Sequence, residues 1–344
     1  MTHTTKSLRE FLLGNLTDFS EACGIPRLVG AKTLAALVTS LANYQEEGAR
    51  LLPELYLCSD IDAALQLIPS VDKLYIGTET EPVAACTVAL KKCAPLARDG
   101  WCIYISKAGR NFDYGLFRGS LYPLALSVER TFFADPLETI NIVRLHQTAS
   151  NCVEIRNSKG ESRSIILTDK PENIPHPREH VTQLADSVCG GVAPALLDIT
   201  RNFMLKALSS AIAESHGTIV VVTKEDVVPD FLEDGITLKS PLNFQSAIEK
   251  FQQGGPDANE IQHSLIANTA LLKGMVSSDG ITVFSQRATL LAYNCFISAE
   301  QAAAKVNGGA RTRAFEALKR KLAARQLAAA FVRSQDGWTK FERK

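Results

Sequence analysis

GMVSSDGITVFSQRATLLAYNCFIS, residues 274–298, decides how the second half of this chain folds. Two apolar runs rich in β-branched and aromatic residues flank Ser285-Gln286-Arg287 and read as a pair of strands, with Asp279-Gly280 as the turn that opens the first. Upstream, HGTIVVVTK (216–224) is a short continuous apolar run and suits a strand buried on both faces. Residues 193–215 predict an amphipathic helix with Leu197, Phe203, Leu205, Leu208 and Ile212 on one side, and 242–252 and 258–270 predict two more around the turn-like GGPD. Downstream, Gly308-Gly309 leads into the helix ARTRAFEALKRKLAARQ, with Phe315, Leu318 and Leu322 as its buried stripe. The strands LAAAFVRSQ and WTKFER, joined at Asp336-Gly337, end the chain.

The first half follows another pattern. Residues 6–50 read as helical, with Leu8, Phe11, Leu12 and Leu16 at helical spacing and a second run from Ala31 to Glu47. Short β-like runs then recur (ELYLCS, KLYIGT, WCIYIS, TINIVRL, NCVEIRN), interspersed with helical material such as PVAACTVALKKCAPLA. NCVEIRNSKGESRSIILT predicts a hairpin with N-S-K-G at its turn. The proline-rich TDKPENIPHPREH reads as a linker or long loop, which puts a boundary within 170–190. The fold class expected is α/β. A separate α/β domain over 1–185 precedes a domain over 190–344, whose mixed, twisted β-sheet is flanked by helices.

Bulk properties narrow the function classes. At 344 residues the chain is too long for one ordinary core, and 46% apolar with 22% charged residues is the composition of a folded globular protein. The formal net charge is zero, which argues against wholesale binding to nucleic acid or anionic lipid. The eight cysteines form no C-x-x-C and no zinc spacing, so they are expected as reduced structural thiols in a cytoplasmic protein. No run reaches the ~20 apolar residues of a membrane helix, and the N-terminus lacks the apolar segment of a secretory signal. His176-Pro177-Arg178-Glu179-His180 fits H-x-x-E-H, but its prolines argue against the helix that zinc binding needs. No GxGxxG, P-loop or G-x-S-x-G is present.

Some residue types recur in an order that carries chemistry. Ser278-Asp279-Gly280-Ile281 opens a strand, Gly309-Ala310-Arg311-Thr312-Arg313-Ala314 opens a helix, and Ser334-Gln335-Asp336-Gly337 forms a turn. Asp234-Gly235-Ile236-Thr237-Leu238 follows the first strand of this half. From about residue 195 to the end, this order is similar to the diadenylate cyclase (DAC) domain family, whose ATP site is defined by Asp-Gly-Ala and Arg-His-Arg motifs. The resemblance implies a domain that condenses two ATP into cyclic di-AMP with Mg²⁺ or Mn²⁺. It implies Asp279, Arg311 and Arg313 as catalytic residues and Asp279 and Asp336 as metal ligands. Gly280, Ile281, Gly309, Ala310, Thr312, Ser334 and Gln335 would then contact the nucleotide. Asp279 would hold the metal and help deprotonate the 3′-hydroxyl, Gly280 would admit backbone close to the nucleotide, and the two arginines would meet phosphate oxygens at a helix N-terminus. The reaction implies a homo-oligomer with two such domains face to face, and the first domain would be a sensor-like regulator of unidentified ligand.

The sequence departs from the family at Thr312, where histidine stands between the arginines, at Ala310, where threonine precedes them, at Ser278, often histidine, and at Gln335-Asp336, where paired glutamates are expected. These departures leave open a domain that binds ATP or a cyclic dinucleotide without turnover. A third reading, an interaction protein whose basic 305–325 helix meets nucleic acid or an acidic partner, is set against the balanced overall charge.

Overall fold

The computed structural model describes residues 8–120, 122–133, 137, 139–149, 151–167, 177–254, 257–297, 309–335 and 337–344. It is mixed α/β and separates into two compact units, residues 1–121 with 125–171, and 122–124 with 172–344. Among the described residues no helix is long and apolar enough to cross a membrane.

The first unit is built on a seven-stranded sheet. Its strands are β3 (Leu55–Cys58), β4 (Val71–Glu79), β5 (Trp101–Ala108), β6 (Asn111–Gly119), β7 (Ile142–Ala149), β8 (Cys152–Asn157) and β9 (Ser162–Ile166), in the order β4-β6-β5-β3-β7-β8-β9; β1 (Gln45–Glu46) and β2 (Ala49–Arg50) form a separate small hairpin. Only β3 and β5 run parallel. Helices α1 (Leu8–Ala22), α2 (Ala31–Leu41) and α4 (Pro82–Cys93) contribute to the core on one face, with Leu16, Leu37 and Ala89 meeting Leu55, Leu57, Val143 and Val153. The short α3 (Ile61–Leu65) and α5 (Val128–Phe133) cover the other through Tyr56, Phe117, Phe132 and Phe133. The expected hairpin is β8–β9: Asn157 Oδ1 accepts from the amides of Lys159 (3.1 Å) and Glu161 (3.0 Å), and Gly160 takes φ +97°.

The α5-side face of this sheet carries buried charge. Arg144, on β7, donates to Glu54 at 2.6 Å and lies 3.5 Å from Glu129 and 3.8 Å from Glu154, while Arg156 reaches Glu129 at 3.3 Å. Burial opposes ionisation of Glu54, but Arg144, with His146 and Tyr56, outweighs it and holds the carboxyl at about 2. The Glu54 side chain is 36% exposed, so solvent screens part of this effect. Burial, then Arg144, push the His146 pKa below its ordinary value against the opposing pull of Glu154, Glu54 and Glu129.

The second unit holds the other sheet: β10 (Thr218–Thr223), β11 (Leu232–Glu233), β12 (Ile236–Asn243), β13 (Ile281–Ser285), β14 (Thr289–Ile297), β15 (Ala329–Arg333) and β16 (Thr339–Arg343). Its order is β11-β14-β13-β10-β15-β16, with β12 also on β14. The β10–β13 pair is parallel and the others antiparallel. β10 is buried throughout, as its apolar run predicts: Val220 and Val222 join the core beneath α6 (Pro177–Val188), α7 (Pro194–Glu214), α8 (Phe244–Gln253) and α9 (Ala258–Ser277), while Ile219 and Val221 join that beneath α10 (Ala310–Ala323). Helices therefore line both faces of the sheet. All eight cysteines are buried and unpaired.

Three expectations shift. The stretch expected as loop is helical from Pro177, a residue whose missing amide suits a first helical position. This helix sends Leu184, Ala185 and Val188 into the second core, so α6 belongs with the second unit. On α7 the buried stripe is Leu196, Thr200, Phe203, Met204, Ala207, Leu208, Ala211 and Ile212, and Leu197 is 37% exposed. Small Ala207 and Ala211 let neighbouring helices approach, a role that apolar bulk does not signal. α9 runs on to Ser277, so 274–277 form its last turn rather than the start of a strand.

The charge cluster has a consequence in acid. A depressed Glu54 pKa stabilises the fold above the unfolded value of 4.5, and that stabilisation is lost as pH falls from there toward 2. A depressed His146 pKa adds stability that is present above 6.5 and is lost below it. Thermal melting followed by circular dichroism is expected to fall as pH drops below 6.5, and His146→Gln to flatten the part of that decline lying above 4.5.

Candidate functional site

The parallel register of β10 and β13 pairs Ile219 with Ile281, so Gly217 and Asp279, each two residues earlier, both precede their strands at the same end of the sheet. On the other side of β10, Thr218 pairs with Arg333, which brings Ser334 level with Gly217. Ser334, Gly217 and Asp279 thus form a row of residues just outside three neighbouring strands, at one end of the sheet. The row lies where both parallel strands begin.

α10 reaches this row from one face. A Cβ added to Gly217 would lie 3.0 Å from Arg311 Cζ, 3.1 Å from Arg311 Nη1 and 3.0 Å from the carbonyl oxygen of Arg333. The half-buried Arg311 guanidinium therefore rests on the bare α-carbon of Gly217, whose φ of +130° also favours glycine. Ser334, one residue past the end of β15, has a buried side chain, and its hydroxyl has no hydrogen-bond partner among the described residues. The N-cap of α10 is Gly309, without a side-chain cap, so the first amides of the helix face this end. Asp279 is exposed and makes no hydrogen bond or ion pair among the described residues.

Gly280 is demanded by packing. Its φ is +88°, and a Cβ would lie 2.8 Å from the carbonyl oxygen of Cys295 and 2.9 Å from the carbonyl carbon of Asn294. A Cβ on Gly235 would lie 2.2 Å from Cys295 Sγ. The two Asp-Gly-Ile segments, 234–236 and 279–281, therefore meet at Cys295, beside the register shift where Asn294 takes φ +54°. Burial pushes the Cys295 thiol up to about 11, so it is a protonated packing group and not a nucleophile.

Of the residues expected from sequence, Asp279, Gly280 and Ser334 lie at the end of the sheet where Arg311 meets Gly217, with Gly309 and Ala310 at the exposed start of α10. Ile281 is 2% exposed, its side chain in the core beneath α10. Thr312 is half-buried and Gln335 exposed. Arg313 is exposed and sits about 200° around the helix from Arg311. Asp336 and His176 lie outside the described residues. His180, on α6, pairs its Nδ1 with Thr339 Oγ1 at 2.7 Å. Sequence reasoning missed Gly217 and Arg333; the signals were a glycine directly before the apolar run and a charge at the end of a buried strand.

Among the described residues no group of three or more His, Cys, Asp or Glu could hold a metal ion. A lone carboxylate suits a hard divalent cation that keeps its waters and brings phosphate oxygens with it. A shallow depression of about 210 Å³, lined by Lys319, Leu322, Ala323, Glu342, Arg343 and Lys344, lies at the other end of α10, about 20 Å along the helix axis. Comparison of the chain with family models, with curated proteins and with solved structures finds no match.

Asp279 and Gly280 separate function from folding. Gly280→Ala should cost about 1–3 kcal/mol of unfolding free energy in urea, since a Cβ there meets strand backbone at positive φ. Asp279→Asn, at an exposed side chain without a partner, should stay within about 0.5 kcal/mol of the parent.

Proposed function

We propose that the second unit is a diadenylate cyclase-type domain that condenses two ATP molecules into cyclic di-AMP and two pyrophosphates, under the control of the first unit as a sensor-like domain. The observation that carries this reading is the convergence of Asp279, Arg311 and the unpartnered Ser334 hydroxyl at one end of the sheet. Those are the residue types, in chain order, that the DAC resemblance assigns to the ATP site.

In each half of the reaction the 3′-oxygen of one ATP attacks the α-phosphorus of the other. A new P–O bond forms, the bond from the α-phosphorus to the bridging oxygen of the β-phosphate breaks, and pyrophosphate leaves. The 3′-hydroxyl proton passes to Asp279 or to solvent. Arg311 and the N-terminal amides of α10 bind phosphate oxygens. Asp279 is the residue that would hold Mg²⁺ or Mn²⁺, which supplies charge neutralisation on the triphosphate. A hydrogen bond to a charged group contributes about 1.5–3 kcal/mol and a helix terminus about 0.3–1, so Arg311 dominates binding. The chemistry is two-fold, so two copies of the domain must face each other. ATP as substrate and eight unpaired thiols suit the cytoplasm.

Thr312 and Gln335, at positions where the family carries histidine and glutamate, favour a second reading in which the domain binds nucleotide without turnover. The deciding experiment incubates the full chain with ATP and Mg²⁺ or Mn²⁺ and identifies products by mass spectrometry. Cyclic di-AMP is expected from the parent, with none from Asp279→Asn. Arg311→Ala should weaken ATP binding by roughly 10- to 100-fold, and Arg313→Ala by less. ATP bound without product would favour the sensor reading, and no ATP binding at all would remove both.

A further inference from the structure

Beneath the candidate site lies a buried guanidinium that its chemistry does not use. Arg333 is 4% exposed. Its Nη1 donates to the carbonyl of Ile212, and to those of Ala213 at 3.1 Å and Ser215 at 3.2 Å. Ile212 and Ala213 belong to the last turn of α7 and Ser215 is its C-cap, so these carbonyls lie where a helix runs out of amide partners. A buried charge is costly unless it is paired or hydrogen-bonded. Here the carbonyls and the negative end of the α7 dipole offset that cost. The main chain of Arg333 pairs with Thr218, and its carbonyl oxygen lies against Gly217 beside the Arg311 guanidinium.

One residue therefore ties together the end of α7, the start of β10 and the surface on which Arg311 rests. His216 and Gly217 bridge Ser215 to Thr218, and Arg333 holds both ends of that bridge, Ser215 through its side chain and Thr218 through its backbone. We infer that Arg333 is a positioning residue for Arg311: by clamping 215–218 it sets the height of Gly217 and so the reach of the phosphate-binding guanidinium. The inference rests on the nucleotide reading for its ligand, but not for its geometry. Lysine keeps the charge but carries it on a shorter, more flexible stem than the guanidinium whose Nη1 makes all three of these bonds, so it does not hold the clamp at the same height.

The test uses the full chain with Arg333→Lys and Arg333→Gln, each checked for folding by circular dichroism, alone and combined with Arg311→Ala. Affinity for ATP with Mg²⁺ is read by calorimetry, and the Arg311 Nε–H and Gly217 amide signals by NMR. Whichever Arg333 variant folds should bind ATP roughly tenfold more weakly than the parent, and should change affinity less than about twofold once Arg311 is already alanine. Parental affinity, or an equal loss in both backgrounds, overturns the inference. Should the parent itself fail to bind ATP, the nucleotide reading falls and the NMR signals decide this one: shifted Arg311 and Gly217 resonances in the variants sustain it, and unshifted ones end it.

Discussion

The parallel pairing of β10 with β13 is the constraint on which the second unit depends. Parallel strands must start at the same end, so the segments that lead into them, His216-Gly217 and Ser278-Asp279-Gly280, arrive side by side. The crossover between them has to be long, and β11, β12, α8 and α9 occupy it. A slip of one residue in β10 would turn Ile219 and Val221 away from α10 and send Val220 and Val222 toward it. The same slip would replace the bare α-carbon beneath Arg311 with a side chain. Core register and site geometry are one condition, not two.

Glycine and a small thiol do the remaining shaping. Gly280 lies against the backbone at Asn294 and Cys295, and Gly235 lies against Cys295 Sγ, so both Asp-Gly-Ile segments come to one point of β14. The register shift there breaks the regular ladder next to the site, as bulges commonly do. The site lies at the amino ends of the parallel strands, whereas open α/β sheets usually bind ligands beyond the carboxyl ends. At that end the free backbone amides are those at the start of α10, whose N-cap Gly309 gives no side-chain cap.

Much of this was legible in the chain. The strand within HGTIVVVTK is buried on both faces, and the hairpins at 281–297, 329–343 and 152–166 follow from their apolar runs and turn residues. Asp279, Arg311 and Ser334 could be named because each sits beside a turn or a helix start. What stayed hidden was set by tertiary contact. The rotated stripe of α7 depends on alanines that matter only once other helices pack on them. The helix after Pro177 was masked by prolines that read as loop, although one of them serves as its first residue. Arg333 looked like an ordinary polar end to an apolar strand, because nothing local says that the end of α7 will lie beside it.

The two units use charge in opposite ways. In the first, Arg144 is surrounded by Glu54, Glu129 and Glu154, an arrangement that satisfies itself and leaves little for a ligand to gain. In the second, Arg311 and Asp279 stand at the same end of one sheet, yet neither forms an ion pair among the described residues. On the reading proposed above, Arg311 and Asp279 suit a ligand that carries both signs of charge, as a triphosphate with its divalent cation does. On that reading one domain would offer one nucleophile-activating carboxylate, Asp279, and one phosphate anchor, Arg311. A reaction that joins two nucleotides symmetrically would need that set twice, so the proposal carries with it a second copy of the domain as part of the proposed active site.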